Sequence, residues 1–276
     1  MNKFLFIAFN LLFAVHVSAQ HKLVKLWETT DNIAMPESVL HDPGSGLLYV
    51  SIMGTSPDAK DGIGGIGLLG ADGKSINLEW VTGLNAPKGM AIYNNKLYVA
   101  DVTDLVVIDI PNAKVEQRIP VMDAVFLNDV TVSDKGLVYI SDSRTKRIHL
   151  FEKNAVSVYM ENIDGLNGLK SVGEYLFIAG GGKNLLRADG KKNMIKVAGL
   201  AQGGDGIEPI GNGDFLFSSW PGYIYYVLAD GKSELLLDTH LEKINAADIG
   251  FDPIKRIVYV PTFFKNSVVA YQLEKL

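Results

Sequence analysis

One short phrase recurs six times along the chain: hydrophobic residues around a central, mostly aromatic residue, followed by small or acidic residues. Its copies are centred on Tyr49, Tyr98, Tyr139, Phe177, Leu216 and Tyr259. The interval is about 40 residues, the length of one four-stranded blade of a β-propeller. Six copies in 276 residues therefore predict an all-β fold, a six-bladed β-propeller. A seven-bladed ring or an open β-sandwich would not account for six evenly spaced copies.

A second repeat, Ala-Asp-Gly-Lys, marks hairpins inside the blades. It occurs at residues 71–74, 188–191 and 229–232. Because Asp-Gly readily adopts the positive φ angles of a two-residue hairpin loop, each copy predicts such a turn between two strands. Helical periodicity is not sustained over about ten residues anywhere after residue 22, whereas alternating strand patterns are common.

The first 19 residues have the composition of a secretory signal peptide. A positive start at Lys3 precedes an apolar run over residues 4–15, and Val17-Ser18-Ala19 is a small-residue cleavage pattern. We expect cleavage after Ala19, export to the periplasm or the medium, and a single propeller domain over residues 20–276. A membrane anchor is the alternative, and it is disfavoured because the apolar run is too short to span a bilayer.

The last copy of the phrase leaves too little chain for a complete sixth blade. Residues 267–273 are enough for one further strand. We expect residues 23–29 to supply the missing outermost strand, because backbone hydrogen bonds at this seam would close the ring and remove an exposed sheet edge.

Composition excludes several kinds of metal site, catalytic nucleophile and partner. The chain has no cysteine and a formal net charge of −5. The lack of cysteine excludes disulfides, zinc–thiolate sites, iron–sulfur clusters and a thiol nucleophile, so any metal must be held by oxygen or histidine. Negative charge without a basic cluster argues against nucleic acid as a partner. We expect a monomer that binds a small-molecule substrate and no membrane.

Equivalent positions at the start of the innermost strands carry mostly polar residues. These strands line the channel of a propeller, so their first residues should converge on one opening. The six are Glu37, Lys88, Asn128, Asn167, Asp205 and Ala247. Two carboxylates and two amides suit a hard cation, Ca²⁺ best, with Mg²⁺ or Mn²⁺ as substitutes. Solvated loop residues are the alternative for each, but the shared register favours a site.

Four short motifs surround these positions: Pro36-Glu37, Leu127-Asn128-Asp129, Leu166-Asn167-Gly168-Leu169 and Gly204-Asp205-Gly206-Ile207. Gly168 and Gly206 are expected to allow tight turns at the channel mouth. With these motifs, residues 20–276 resemble the SMP-30/gluconolactonase/LRE-like family of six-bladed propellers, which includes regucalcin, gluconolactonases and diisopropylfluorophosphatase. The resemblance implies that Glu37, Asn167 and Asp205 hold one divalent cation, with Asn128 completing the shell or contacting substrate. It also implies that Asp205 is a general base or nucleophile.

The chain departs from that family in its expected substrate contacts. Sugar-lactone hydrolases of the group have an arginine where this chain has Phe126, so a more apolar ester or lactone competes with an aldonolactone as substrate. Phe126 could instead pack between blades, and Trp220 could be either a pocket wall or blade packing. Lys88 would be repelled by a nearby cation. It therefore either turns to the surface or pairs with Asp129 or with an anionic substrate.

Loops between the second and third strands should form the pocket walls on the same face. The first, residues 53–65, is the longest and is a candidate lid; another contains Ser143-Arg144. The chain has no Gly-x-Ser-x-Gly motif, and the histidines after residue 19 lie away from the innermost strand starts, so a histidine-based triad is not expected.

These features together predict metal-assisted hydrolysis of a lactone or related ester. The cation would polarise the substrate oxygen, while Asp205 or a water on the cation delivers the attack. Substrate contacts are expected from Lys88, Asn128, Phe126 and Trp220. The alternative is a non-catalytic exported propeller whose cation is only structural and whose open face binds a ligand or a protein.

Overall fold

The six repeated phrases form the second strand of six antiparallel, four-stranded sheets arranged as the blades of a β-propeller. The computed structural model describes residues 20–276. The predicted signal peptide lies outside these residues. Within residues 20–276 no helix is long and apolar enough to cross a membrane. The predicted all-β, six-bladed fold is confirmed.

The strands follow one another in chain order. Strand β1 (His21–Glu28) comes first, and blade one contains β2 (Pro36–His41), β3 (Leu48–Ile52), β4 (Gly64–Leu69) and β5 (Ser75–Leu84). Blade two contains β6 (Pro87–Tyr93), β7 (Lys96–Asp101), β8 (Asp104–Asp109) and β9 (Lys114–Pro120). Blade three contains β10 (Leu127–Val132), β11 (Val138–Asp142), β12 (Arg147–Glu152) and β13 (Ala155–Met160). Blade four contains β14 (Leu169–Val172), β15 (Tyr175–Gly180), β16 (Asn184–Ala188) and β17 (Met194–Gly199). Blade five contains β18 (Ile207–Pro209), β19 (Phe215–Ser219), β20 (Tyr223–Val227) and β21 (Ser233–Asp238). Blade six contains β22 (Gly250–Asp252), β23 (Ile257–Pro261), a short 3-10 helix (Phe263–Lys265) and β24 (Val268–Lys275).

The hydrophobic core lies between consecutive blades. Second strands are buried on both faces, which explains why the repeated phrase is nearly all hydrophobic. In blade one, Tyr49 packs against blade two, while Leu48 and Val50 pack against Tyr259 of blade six. Outermost strands such as β9 alternate between exposed and half-buried residues because only one face meets a neighbouring blade.

The first strand closes the ring. Strand β1 pairs antiparallel with β24, so the sixth sheet has the order β1-β24-β23-β22. Trp27 anchors this seam: its ring centroid lies 5.9 Å from that of Tyr259, and its Nε1–H donates to the Ala71 carbonyl oxygen at 3.1 Å. The predicted closure by the N-terminal strand is confirmed.

The Ala-Asp-Gly-Lys loops differ from the expectation. The prediction of two-residue turns was wrong, because residues 70–74, 189–193 and 228–232 lie between the paired strands. Each aspartate caps its own loop by accepting a backbone N–H two residues on, as Asp72 does from Lys74. Gly73 and Gly231 have positive φ, but in the middle loop that conformation falls on Lys192.

Glycines bring the innermost strands close together around the axis. A Cβ added at Gly168 would lie 1.7 Å from the Asp205 carbonyl oxygen, and one at Gly89 would lie 2.1 Å from the Asp129 Oδ1 atom. Neither Gly168 nor Gly206 has a positive φ. The prediction of tight turns was therefore wrong. These glycines are required by the close approach of neighbouring blades.

Candidate functional site

A cavity of about 230 Å³ opens at one end of the channel. Five of the six residues predicted at the innermost strand starts line it; the sixth, Ala247, is fully buried in an apolar cluster with Met53 and Phe263. The complete lining is Glu37, Met53, Pro57, Lys88, Phe126, Asn128, Asn167, Asp205, Trp220 and Phe263. The structure thus brings together every residue that the sequence singled out for this site.

β-Bulges hold three of the polar side chains. Strand pairing shifts next to Glu37 in β2, next to Lys88 in β6 and next to Asn128 in β10. A bulge sets two residues against one and re-aims a side chain. Here it occurs at the residue that lines the cavity in each of these blades.

Serines of the repeated phrase hold the backbone beside the site residues. In blades one, three and five, a serine hydroxyl on the second strand accepts one backbone N–H beside the site residue; blades one and three have a bulge there and blade five has none. The N–H of Ser38 donates to Ser51 Oγ, that of Asp129 to Ser141 Oγ and that of Gly206 to Ser218 Oγ, at 2.8 to 2.9 Å. The small residue that follows the hydrophobic part of the phrase therefore has a structural role at the site.

Oxygen atoms in the lining lack protein donors. Glu37 Oε2 and Asn167 Oδ1 are buried and have no hydrogen-bond partner among residues 20–276. The Asn128 Nδ2 group donates to Ser143 Oγ at 3.0 Å, which leaves its Oδ1 as the group available to a ligand. Buried polar atoms are normally paired, so orphaned oxygens at one cavity point to a ligand that supplies positive charge or donors.

The carboxyl groups around the axis repel one another. Burial raises the pKa of Glu37 well above its usual range, and the charges of Asp205 and Asp248 raise it further, against the opposing charge of Lys88. Burial and the charge of Asp248 likewise raise the pKa of Asp205. The charge of a cation bound between these groups would oppose both shifts.

Asp248 and Asp129 lie behind the cavity residues. Burial raises the pKa of Asp248 to about 7, although its carboxylate accepts a hydrogen bond from Ser38 Oγ at 2.5 Å. Asp129 accepts the backbone N–H groups of Val130 and Leu169 and so joins blade three to blade four. Asp248 could not be predicted as a site residue, because the repeat places its neighbour Ala247 at the cavity position of the sixth blade.

Lys88 is buried rather than on the surface, so the surface alternative was wrong. Its side chain is 1% exposed, and its Nζ donates to the Ala86 carbonyl oxygen at 2.8 Å. The pairing with Asp129 that the sequence left open is also not observed. Burial lowers the pKa of Lys88 to about 8, against the opposing effect of Glu37.

Aromatic side chains form the rest of the wall. Phe126 lines the cavity, with the Lys88 Nζ atom 4.5 Å from its ring centroid. Trp220 is 40% exposed and packs edge-on against Phe263 and Phe264 at centroid distances of 5.5 and 5.9 Å. Phe126 and Trp220 therefore both face the cavity, where the sequence had left packing between blades as an alternative.

The loop between β3 and β4 crosses the same end of the channel. Pro57 lines the cavity, Lys60 Nζ donates to Thr103 Oγ1 of blade two at 2.7 Å, and Asp58 pairs with Arg144 of blade three at 3.0 Å. The loop thus spans three blades. The sequence predicted this loop as a pocket wall and a candidate lid, and Met53 and Pro57 of the loop do line the cavity. The contacts that fix the loop could not be predicted, because loop contacts follow no repeat.

Carboxylates and histidines alone form no metal site in residues 20–276, either at this cavity or elsewhere. No group of three or more histidine, aspartate or glutamate side chains in the described part of the chain is placed to hold an ion. At the cavity, Glu37 and Asp205 would need the amide oxygens of Asn128 and Asn167 to complete a ligand set. No histidine lines the cavity; His41 lines the opposite end of the channel, near Asp252.

Two solved structures are similar to the chain in fold. One is a catalytically inactive histidine-to-alanine variant of virginiamycin B lyase from Staphylococcus aureus with quinupristin, at 12% identity and a TM-score of 0.65, covering 91% of this chain and 99% of that chain. The other is a streptogramin B lyase, at 11% identity and a TM-score of 0.62, covering 92% and 97%. No family model and no curated protein sequence matches the chain. The similarity at this identity shows the fold alone, and the resemblance to the SMP-30 group stays a prediction.

Proposed function

We propose that the protein is an exported, metal-dependent hydrolase of a lactone or related ester, of the SMP-30/gluconolactonase type. The observation that carries the proposal is the cavity at the channel mouth, where Glu37 Oε2 and Asn167 Oδ1 are buried without partners. The signal-peptide pattern of residues 1–19 supports export.

A divalent cation fits the residues present. Glu37, Asn167 and Asp205 would hold it, with Asn128 as a fourth ligand, and an all-oxygen set with two carboxylates favours Ca²⁺ over softer metals. When bound, it would polarise the substrate carbonyl and stabilise negative charge on its oxygen.

Asp205 is the general base in this proposal. Its carboxylate lines the cavity together with the proposed substrate contacts, where it can accept a proton from water. It takes a proton from the attacking water as the water oxygen bonds to the carbonyl carbon. It returns that proton to the leaving oxygen as the ester C–O bond breaks, so a lactone plus water gives a hydroxy acid and the carboxylate is regenerated.

The remaining cavity residues select and orient the substrate. An ammonium has three N–H donors, and Lys88 uses one on Ala86 O, which leaves donors for a substrate oxygen. Phe126 and Trp220 supply apolar walls, which favour a substrate with an apolar part over a fully hydroxylated sugar lactone. A sugar hydroxyl desolvated against Phe126 without a partner would lose about 1–3 kcal/mol.

The lyase neighbours suggest a different reaction, which the site residues favour less. In one neighbour, loss of a histidine accompanies inactivity. No histidine lines the cavity of this chain, whereas its buried carboxylates and amides suit hydrolysis assisted by a cation.

The proposal is tested by turnover on a panel of lactones, aryl esters and organophosphates, with and without EDTA. We expect hydrolysis of at least one apolar lactone or ester, its loss in EDTA, and its recovery with Ca²⁺. Asp205→Asn should abolish turnover. Asp214→Asn is the matched control, because Asp214 is a buried carboxylate of the same blade that bonds Tyr226 Oη and the Ala229 N–H outside the cavity.

No turnover on any substrate class, together with tight Ca²⁺ binding, would overturn the hydrolase and favour the alternative of a binding protein with a structural cation. Turnover that persists in EDTA would remove the metal from the mechanism. Equal activity of Asp205→Asn and Asp214→Asn would show that Asp205 is not the base.

A further inference from the structure

Two cations lie against one aromatic ring at the edge of the cavity. The Lys88 Nζ atom is 4.5 Å and the Arg144 Cζ atom 4.6 Å from the centroid of Phe126. A ring face attracts a cation but carries no net charge, so it cannot neutralise either group. An anion that contacts both groups would therefore be favoured beside this ring.

In the described part of the chain, Asp58 is the one carboxylate that pairs directly with either of these two cations. Arg144 Nη2 pairs with Asp58 Oδ2 at 3.0 Å, and Asp58 belongs to the loop between β3 and β4. Lys88 forms no ion pair within 4 Å in residues 20–276; its hydrogen bond goes to a neutral carbonyl oxygen. Glu37, which lines the same cavity, is the charged group that most favours the ammonium, but no carboxylate bonds it directly, so an anionic ligand can take that place.

The Asp58–Arg144 pair is easily exchanged. Both side chains are about half exposed, at 46% and 51%, so water and salt weaken their attraction. The loop keeps a second contact, between Lys60 and Thr103, when Arg144 is released. A ligand that also meets buried Lys88 would compete successfully with Asp58, because a charged hydrogen bond is stronger where water is excluded.

We propose that Lys88, Phe126 and Arg144 form a binding subsite for the carboxylate of an apolar or aromatic ligand, and that Asp58 occupies this subsite internally until the ligand displaces it. The aromatic wall of Trp220 and Phe263 takes the apolar part of the ligand. Displacement removes one of the two contacts that hold the loop over the cavity, so the anionic group loosens the cover of the site that it enters. The proposal rests on the proposed function in one respect: the substrate would be an ester or lactone that also carries this carboxylate. Binding of the carboxylate does not itself depend on hydrolysis.

The test compares 3-phenylpropanoate with its neutral amide by calorimetry on the folded protein at neutral pH and low salt. EDTA is present throughout, so that a bound cation cannot recruit the carboxylate. We expect the wild-type protein to bind the carboxylate at least about tenfold more tightly than the amide. Lys88→Met and Arg144→Met should each reduce this preference.

Asp58→Asn is the decisive variant, because it removes the internal competitor and leaves both cations in place. It should tighten carboxylate binding by about 2- to 5-fold, because breaking an exposed ion pair costs about that factor in affinity, and amide binding should not change. Hydrogen exchange of residues 53–63 should become faster in wild type with carboxylate bound, and in Asp58→Asn without ligand. Arg187→Met is the matched control. The Arg187 Cζ atom lies 4.3 Å from the ring centroid of Tyr175, and neither residue lines the cavity.

Equal binding of the two probes by wild type would overturn the subsite. Unchanged carboxylate binding in Asp58→Asn would overturn the exchange. Should Lys88→Met fail to fold, the half-exposed Asp58 and Arg144 variants still decide the matter. Because binding is measured without metal or turnover, failure of the hydrolase proposal would leave these results unaffected.

Discussion

Asp248 shows what one buried carboxyl group does in this ring. It bonds Ser38 next to Glu37, and its charge raises the pKa values of Glu37, Asp129 and Asp205. None of these three carboxyl groups forms an ion pair within 4 Å in residues 20–276, and the charge of Lys88 opposes the repulsion at Glu37 only in part. The carboxylates of the channel therefore repel one another unless some of them bind protons or a cation binds between them.

This repulsion predicts a pH dependence of the free energy of unfolding without metal. The pKa of Asp248 is raised to about 7 in the folded state from an ordinary value near 3.8, so the folded chain binds more protons than the unfolded chain between these values. Its contribution is present at low pH and is lost as pH rises through about 7. Denaturation in EDTA should show stability falling by a few kcal/mol over this range, and Asp248→Asn should flatten the dependence. An equally steep profile in the variant would contradict the assignment.

The geometry of the innermost strands brings these side chains together at the axis. Bulges in β2, β6 and β10 aim Glu37, Lys88 and Asn128 at the axis, and serines of the second strands bond the adjacent backbone. Glycines then let the innermost strands approach each other closely enough for the side chains to converge. The repeated phrase and the site motifs are two parts of one arrangement.

Gly168→Ala tests the close approach. The added Cβ would lie 1.7 Å from the Asp205 carbonyl oxygen, so the backbone of one of the two strands must shift. We expect the free energy of unfolding to fall by about 1–3 kcal/mol and cation binding to weaken. Gly190→Ala is the matched control, because nothing lies within 4 Å of its added Cβ. Urea denaturation of both variants is the measurement. Equal stabilities would show that the strands have room to spare.

The closing strand gives a second prediction for an element. Deleting residues 20–29 would expose β24 and the apolar seam, so we expect a large fall in melting temperature and aggregation. Trp27→Ala should cost about 3–5 kcal/mol by cavity formation. Leu26→Ala in the same strand is the control, because Leu26 is 48% exposed and should change stability by less than about 0.5 kcal/mol. An unchanged melting temperature after deletion would place ring closure elsewhere.

Features that depend on the strand period could be predicted from the sequence. Six blades, closure by β1 and the convergence of Glu37, Asn128, Asn167 and Asp205 all follow from backbone pairing with a fixed repeat. The Asp58–Arg144 pair could not be predicted, because it joins irregular loops of different blades. The burial of Lys88 could not be predicted either. A lysine side chain at the start of a strand can point to the surface or into the channel, and the neighbouring blades decide which.

The closed ring brings distant parts of the chain to one small volume. Glu37 in blade one and Asp205 in blade five face the same cavity, and the charge of Asp205 adds to the effect of burial in raising the pKa of Glu37. A propeller can hold such a set because its six sheets fix the strand starts around one axis. The same geometry leaves the loops free to form the cover and the apolar wall.

Calorimetric titration of the metal-free protein with Ca²⁺ tests whether this cavity is a cation site. The residues described here predict one bound ion per chain, with affinity weakened by at least about tenfold in Glu37→Gln and in Asp205→Asn, since each removes one of two charged ligands. Asp214→Asn, with its carboxylate outside the cavity, should bind as wild type does. Absence of binding to wild type, or wild-type affinity in both cavity variants, would contradict the site.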